Sequence, residues 1–269
     1  MQYHRPCSAL LRQRRYPSRQ RGIDPIRDIG IIDTELLLKD METIEKSLAR
    51  AQRESKSGDA KKKKLAATLG EVMDAFDAGT PYRALPPSAE RDELTQDYHL
   101  LTAKRVLYVA NVDEASAVQD NAYVETLRTH AAQENAEVVV ISAELESQIA
   151  ELDDAEERAM FLEEAGLKEP GLHRLIHSGY DLLGLQTFFT AGEKEVRAWT
   201  IVKGKSAPQA AGVIHTDFER GFIKAEVTAY DDYVELGGEK GAKAKGKLRI
   251  EGKEYVVQDG DVMHFRFNV

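Results

Sequence analysis

Asn111-Val112-Asp113-Glu114 stands where the apolar run Val106 to Ala110 gives way to polar residues. An amide and a carboxylate three positions apart at the end of a strand are hydrogen-bonding groups. About thirty residues on, a second apolar run, Val138 to Ile141, ends in Ser142-Ala143. The phosphate-binding motif G-x-x-x-x-G-K-S/T occurs nowhere in the 269 residues. Without it the sequence offers neither the amide cradle nor the metal-binding hydroxyl that phosphoryl transfer uses. His173 and His177 are four apart, a spacing that could hold zinc. No HExxH pattern and no nearby His or Cys joins them, so they read as surface histidines.

These groups must be positioned by ordinary folded elements. Hydrophobic content is 42%, enough to bury a core, and the length fits one large domain or two to three small ones. No apolar run approaches the roughly 20 residues needed to span a bilayer. The single cysteine, Cys7, excludes an internal disulfide and a Cys-rich metal site, which suits a reducing, cytoplasmic location. Residues 1–22 carry six Arg and no acid; subtracting that +6 from the net −9 leaves −15 on the remainder. An acidic body argues against broad phosphate-backbone binding, so any nucleic-acid contact must be local.

Ile29, Ile31 and Ile32 suit a short buried strand. A helix follows with apolar residues at Leu38, Met41, Ile44, Leu48 and Ala51, and a second returns with Leu65, Leu69, Val72, Met73 and Phe76. Between them lies Ser55 to Asp59, then Lys61, Lys62, Lys63 and Lys64. This is an antiparallel hairpin with a basic tip, which serves either as a solvated end or as an RNA or protein contact. A short helix over Ser88 to Leu100 leads to the strand Val106–Ala110. A helix over Ala117 to Asn135 and the strand ending at Ser142 complete a βαβ unit. Further helices are expected from Asp153 to Leu167 and through Leu172, Leu175, Ile176 and Leu183. The last third reads as two strands over Phe188 to Ile201 and a helix opening at Ala207-Pro208. Short strands follow at Phe222–Val227, Lys247–Ile250, Tyr255–Val257 and Val262–Phe267, with a turn at Asp259-Gly260-Asp261. The order ββ–α–ββ suggests a β-grasp fold.

The runs Asp24-Pro25 through Thr34-Glu35, Asn111-x-x-Glu114, Ala198-Trp199-Thr200-Ile201, Ala207-Pro208-Gln209-Ala210-Ala211-Gly212 through Phe222-Ile223 and Asp259-Gly260-Asp261-Val262 through Val269 are long and specific. Together they resemble the YchF family of Obg-like ATPases over residues 23–269. The resemblance implies an α/β chain: a partial P-loop NTPase domain (23–35 and 101–182), an inserted helical coiled-coil hairpin (36–100) and a β-grasp TGS domain (184–267). In P-loop GTPases the loop after the strand is Asn-Lys-x-Asp, whose Asp accepts two hydrogen bonds from guanine. Here Val112 and Glu114 replace the Lys and the Asp. The family accordingly prefers adenine, and its intact members hydrolyse ATP with Mg²⁺ and associate with ribosomes. By resemblance Asn111 bonds the purine and braces its neighbours, and Val112 packs on the ring. Glu114 sets specificity, and Ser142 and Ala143 meet the base edge through their backbone. The alternative for Asn111 is a cap on the following turn.

Residues 1–22 depart from the family pattern. They stand as a disordered tail, a mitochondrial presequence, an RNA-binding tail, or the product of a frameshift, because shifted codons for Leu10 to Arg21 can spell a family-like stretch.

Three functions are therefore expected to compete. The first is the C-terminal portion of a YchF-type ATPase that binds a purine nucleotide, ATP over GTP, without hydrolysing it. The second is a non-catalytic TGS module, acting as a monomer, that binds the ribosome or ribosomal RNA. It would use Lys61 to Lys64 and Lys224, with Lys203, Lys205, Arg220, Lys240, Lys243, Lys245 and Lys247 forming a basic face. The third is a non-functional fragment with an exposed sheet edge. No membrane partner is expected.

Overall fold

The structure is a computed structural model that describes residues 22–192 and 195–268; the basic tail through residue 21 lies outside them. The chain divides into two compact units at Ser178/Gly179.

The first unit opens with a long helix, α1 (Pro25–Ser55), and a returning helix, α2 (Ala60–Asp77). Asp24 caps α1 by accepting the Arg27 N–H, and Pro25 sits at the first helical position, where its missing N–H costs nothing. The expected strand at Ile29–Ile32 is therefore helix. Ile29, Leu37, Asp40, Ile44 and Ala51 continue one helical stripe, whereas Ile31 and Ile32 are 56% and 42% exposed. A strand would have needed both faces covered; the helix buries only one. Asp59 caps α2 by accepting the Lys61 N–H at 2.8 Å. Between the two helices Ile44, Leu69, Val72 and Phe76 are essentially fully buried, each worth about 1.5–3 kcal/mol of transfer free energy.

A buried carboxylate ties the hairpin to the turn at Leu101-Thr102. Asp40, 2% exposed, accepts the N–H groups of Leu101 and Thr102 at 2.8 and 2.7 Å and the Thr102 hydroxyl at 2.7 Å. Thr102 Oγ1 in turn accepts the Tyr82 N–H at 3.1 Å. The helix expected over 88–100 is shorter. It runs as α3 (Ala89–Thr95), tightens into a 3₁₀ turn over Gln96–Tyr98, and stops at His99, whose φ of 50° is left-handed.

β1 (Leu107–Asn111) and β2 (Glu137–Ile141) pair in parallel, with Asn111 opposite Ile141. Two helices connect them, α4 (Glu114–Val118) and α5 (Ala122–Gln133), rather than one. The break is a cap: Asn121 Oδ1 accepts the Tyr123 and Val124 N–H groups, both at 3.0 Å. Beneath the strands, Tyr108 donates to Glu134 at 2.9 Å, and Arg83 bridges Glu134 to Asp33 of α1. Burial, reinforced by that bond, holds the Tyr108 hydroxyl above its ordinary pKa. The unit continues through α6 (Ala143–Glu151), α7 (Ala155–Glu164) and α8 (Gly171–Leu183). His173 and His177 are both exposed on α8.

The second unit is a five-stranded mixed sheet built from β3 (Leu185–Ala191), β4 (Val196–Val202), β5 (Phe222–Ala229), β6 (Arg249–Glu251) and β7 (Asp261–Phe267), in the order β4-β3-β7-β5-β6. β3 and β7 are parallel; the other pairs are antiparallel. Helix α9 (Ala207–Ile214) covers one face, and its Ala207, Ala210 and Ala211 meet Phe188, Ile201, Val227 and Phe265 in a closed core. After α9 the chain makes α10 (Thr216–Arg220), then α11 (Tyr230–Glu235) and α12 (Glu239–Ala244) beyond β5. The strand expected at Tyr255–Val257 is reduced to a single bridge, Ser206 to Val256. The reason is a polar knot. Tyr255 donates to Asp261 at 2.7 Å, and the same carboxylate accepts the Gln258 N–H at 2.9 Å, turning the chain before a ladder can form. Burial and that bond push the Tyr255 hydroxyl up to about 12. At Gly221 a Cβ would fall on the Asn268 carbonyl oxygen, so only glycine lets β5 start against the end of β7.

Asp40 satisfies two N–H groups of the Leu101-Thr102 turn from a buried position. Asp40→Ala is expected to lower the unfolding free energy by about 3 kcal/mol, and Asp40→Asn by less, because one acceptor survives. Urea denaturation checks this; an unchanged midpoint in the alanine variant would show that this carboxylate is not what ties the hairpin down.

Candidate functional site

The parallel register places Asn111 and Ser142-Ala143 side by side at the carboxyl ends of β1 and β2, the end at which open α/β sheets bind ligands. The Ala143 N–H donates to Asn111 Oδ1 at 3.0 Å, and the Val112 N–H donates to the Ile141 carbonyl at 2.9 Å. Two loops thirty residues apart in sequence are thereby locked into one ledge. Asn111 is not the cap of the following turn. Asp113 is: it accepts the Ser116 N–H at 2.9 Å, and its bonds from Ser116 hold its carboxyl below the ordinary range. With Oδ1 engaged, the Asn111 Nδ2 is the group of that amide left to donate outward.

Glu114 stands at the first position of α4, exposed, where a carboxylate suits a helix start. Gln148 of α6 donates to its Oε1 at 3.4 Å, a partner the sequence pattern did not signal. Ser142 is 2% exposed and caps α6 through the Leu145 N–H. Two expected roles need correction. The Val112 side chain is 1% exposed and packed among Tyr108, Ala110, Val124 and Leu127, so it cannot lie on a ligand ring; it supplies backbone only. The Ala143 N–H is spent on Asn111, so that donor is not free for a ligand.

The back of the ledge is closed by α8. Glu146 of α6 accepts the Gly171 and Leu172 N–H groups at 2.6 and 3.1 Å, and Arg174 donates to the Val140 carbonyl at 3.0 Å. A Cβ at Gly171 would come within 2.9 Å of Ile141 Cγ2, so glycine is needed for the approach. No sequence motif marks this clamp; its only trace is a glycine after Pro170 at a helix start.

The basic candidates fall elsewhere. At the hairpin tip Lys62 pairs with Glu54 at 3.5 Å and Lys64 pairs with Glu90, which leaves Lys61 and Lys63 exposed. Lys224, in the second unit, is half-buried on β5 opposite Arg266. There Lys203 is paired with Asp181 and Lys247 with Asp232. No helix among the described residues is long and apolar enough to cross a membrane.

A family model named YchF-GTPase_C, described as a protein of unknown function, matches residues 185–268. A Bacillus subtilis protein named ribosome-binding ATPase YchF is 53% identical over 249 residues, spanning 92% of this chain and 68% of its own length. The chain belongs to the YchF family. A Haemophilus influenzae YchF of the same name is 49% identical, with the same coverage of both chains. The structure of the Schizosaccharomyces pombe YchF GTPase superposes with a TM-score of 0.80 at 32% identity, covering 96% of this chain and 70% of that one. The mixed α/β fold is thus that of solved YchF structures.

The ledge depends on the Asn111 acceptor. Asn111→Ala should speed hydrogen exchange at the Ala143 amide and lower stability by about 1 kcal/mol, whereas Asn111→Asp, which keeps an acceptor, should preserve the protection. Unchanged exchange at Ala143 in the alanine variant would show that the loops are held by something else.

Proposed function

We propose that this chain carries the base-recognition half of a YchF-type nucleotide site, reads adenine in preference to guanine, and acts in association with the ribosome. The observation that supports the base site is the Asn111–Ala143 bond, which fixes Asn111, Glu114 and the Ser142-Ala143 loop on one ledge at the carboxyl end of a parallel sheet. In this reading the βαβ unit belongs to a P-loop NTPase domain, and the hairpin is its inserted coiled coil. The second unit is a β-grasp TGS domain. Asn111 Nδ2 donates to the purine, and the Glu114 carboxylate takes the specificity position. Ribosome association is what the bacterial relatives' names state of them, and it is consistent with a cytoplasmic protein.

Glu114 decides the base. An Asp in its place can accept the paired N1 and N2 hydrogens of guanine; the extra methylene of Glu carries the carboxylate past that fit. A bidentate contact to a base is worth about 1–3 kcal/mol, so its loss costs GTP roughly tenfold or more. Adenine, which has no 2-amino group, loses nothing. The residues present could hold the base, but the motif G-x-x-x-x-G-K-S/T, which supplies the phosphate cradle and the Mg²⁺-binding hydroxyl, does not occur in this sequence. Base contacts alone bind weakly, and phosphoryl transfer draws its rate from the cradle and the metal. The chain by itself is accordingly not an ATP or GTP hydrolase.

A second reading, an RNA-binding module, draws on Lys205, Lys224, Lys240, Lys243 and Lys245. These lysines of the second unit form no ion pair within 4.0 Å among the described residues. Its weight is less, because the same unit carries Asp181, Asp232, Glu226 and Glu239 in ion pairs on its surface.

One experiment separates these readings. A family P-loop segment joined in front of Ile23 should give a protein that binds ATP at least tenfold more tightly than GTP in calorimetry and turns it over, while the unjoined chain shows no phosphate release. Glu114→Asp with Val112→Lys should move the balance toward GTP. Equal affinity for the two nucleotides in the joined wild type would remove the base-recognition reading.

A further inference from the structure

At the root of the hairpin lies a cavity of about 540 Å³, the size of a small-molecule site, and it shares no residue with the base ledge. Its wall gathers Arg83, Arg91, Lys104 and Arg105, with Asp92 as the single acid. In a chain of net charge −9 such a concave convergence of cations is unexpected, and low-dielectric walls focus its field. The one acid is already engaged: Asp92 Oδ1 accepts the Tyr82 hydroxyl at 2.7 Å and stands 3.5 Å from Arg91 Nη2.

Two of the arginines are not fully used. Arg83 and Arg91 each keep a buried Nε with no hydrogen-bond partner, two of the four such side-chain atoms among the described residues. Both atoms are closed off from solvent, so neither opens into the hollow; Arg83 already spends its Nη2 on Asp33 and Glu134, which puts the weight of any ligand contact on Arg91 and Lys104. The Arg91 guanidinium carbon lies 4.8 Å over the centre of the Tyr82 ring, a cation–π contact at the cavity wall. Lys104 forms no ion pair within 4.0 Å among the described residues and projects from the turn that Asp40 anchors through Leu101 and Thr102. On the same wall His99 is held in the left-handed region, a conformation that costs a non-glycine residue energy and gathers at ligand sites. Leu85, Pro87 and Leu100 supply an apolar side.

We propose that this hollow is a second ligand site, for a phosphorylated small molecule. Arg91 and Lys104 take the phosphoryl oxygens, and the apolar wall takes the ligand's carbon skeleton. The guanidinium fork and the lysine ammonium complement each other there: one is planar and directional, the other a mobile point charge. The site is independent of the base ledge, so a ligand without a base should bind it.

Inorganic pyrophosphate is the probe, because it carries phosphoryl groups and no purine. Titrated into the full chain, it should give saturable binding in calorimetry and should shift the Arg91 Nε–H resonance in a nitrogen-15 correlation spectrum. Lys104→Gln, at a half-exposed position that packs in no core cluster, should weaken the affinity roughly tenfold, the scale of one charge-assisted hydrogen bond. Arg91→Gln should weaken it at least as much; if that variant fails to fold, the lysine variant alone decides. Glu114→Gln on the base ledge should leave pyrophosphate binding unchanged. No saturable binding at millimolar pyrophosphate, or the same affinity in the wild type and Lys104→Gln, would overturn the proposal.

Discussion

The parallel pairing of β1 with β2 is the constraint on which the first unit rests. Because Asn111 faces Ile141 in that ladder, the strands deliver their last residues to the same edge. There the Asn111 side chain can reach the first amide of α6. Parallel strands need a crossover between them, and here α4 and α5 supply it, capped by Asp113 and Asn121. A one-residue slip would exchange the faces on which Tyr108 and Val109 pack and carry Asn111 away from Ala143. The register of the ladder therefore decides whether the ledge forms.

Polar groups tie the hairpin to the rest of this unit, beside the apolar contact of Ile29 with the core under β1 and β2. Asp40 satisfies the turn at Leu101-Thr102, and Arg83 spans Asp33 and Glu134 beneath Tyr108. Buried ionic contacts of this kind add little net stability, but they are costly to break singly and they set orientation. The cationic hollow lies beside these ties: its Arg83 is engaged by Asp33 and Glu134, and its Arg91 stands against Asp92.

Much of this was legible in the residues, for reasons that can be named. The hairpin followed from apolar spacing through Ile44, Ala51, Leu69 and Phe76, and the strands of the βαβ unit from short unbroken apolar runs. The strand assigned to Ile29–Ile32 failed because a run of β-branched residues outweighed a cap, Asp24, and a Pro25 that open a helix. The break at Asn121 and the stop at His99 were hidden for the same reason: each depends on one side chain or one dihedral angle, not on periodicity. At the site, Asn111 was found by its place after a strand. The burial of Val112, the hold of Asn111 on the Ala143 N–H, the Gln148 contact to Glu114 and the Glu146 clamp on Gly171 are tertiary facts. No local pattern announces them.

The central claim is that Asn111, Glu114 and the Ser142-Ala143 loop form a purine-reading ledge. Its most direct test is an amide chemical-shift titration of the chain with adenosine and, separately, with guanosine, neither of which carries a phosphate. Adenosine should shift resonances of Asn111, Glu114 and Ala143 and their neighbours, and guanosine at equal concentration should shift them less. Equal shifts with the two nucleosides, or adenosine-induced shifts confined to other parts of the chain, would contradict it.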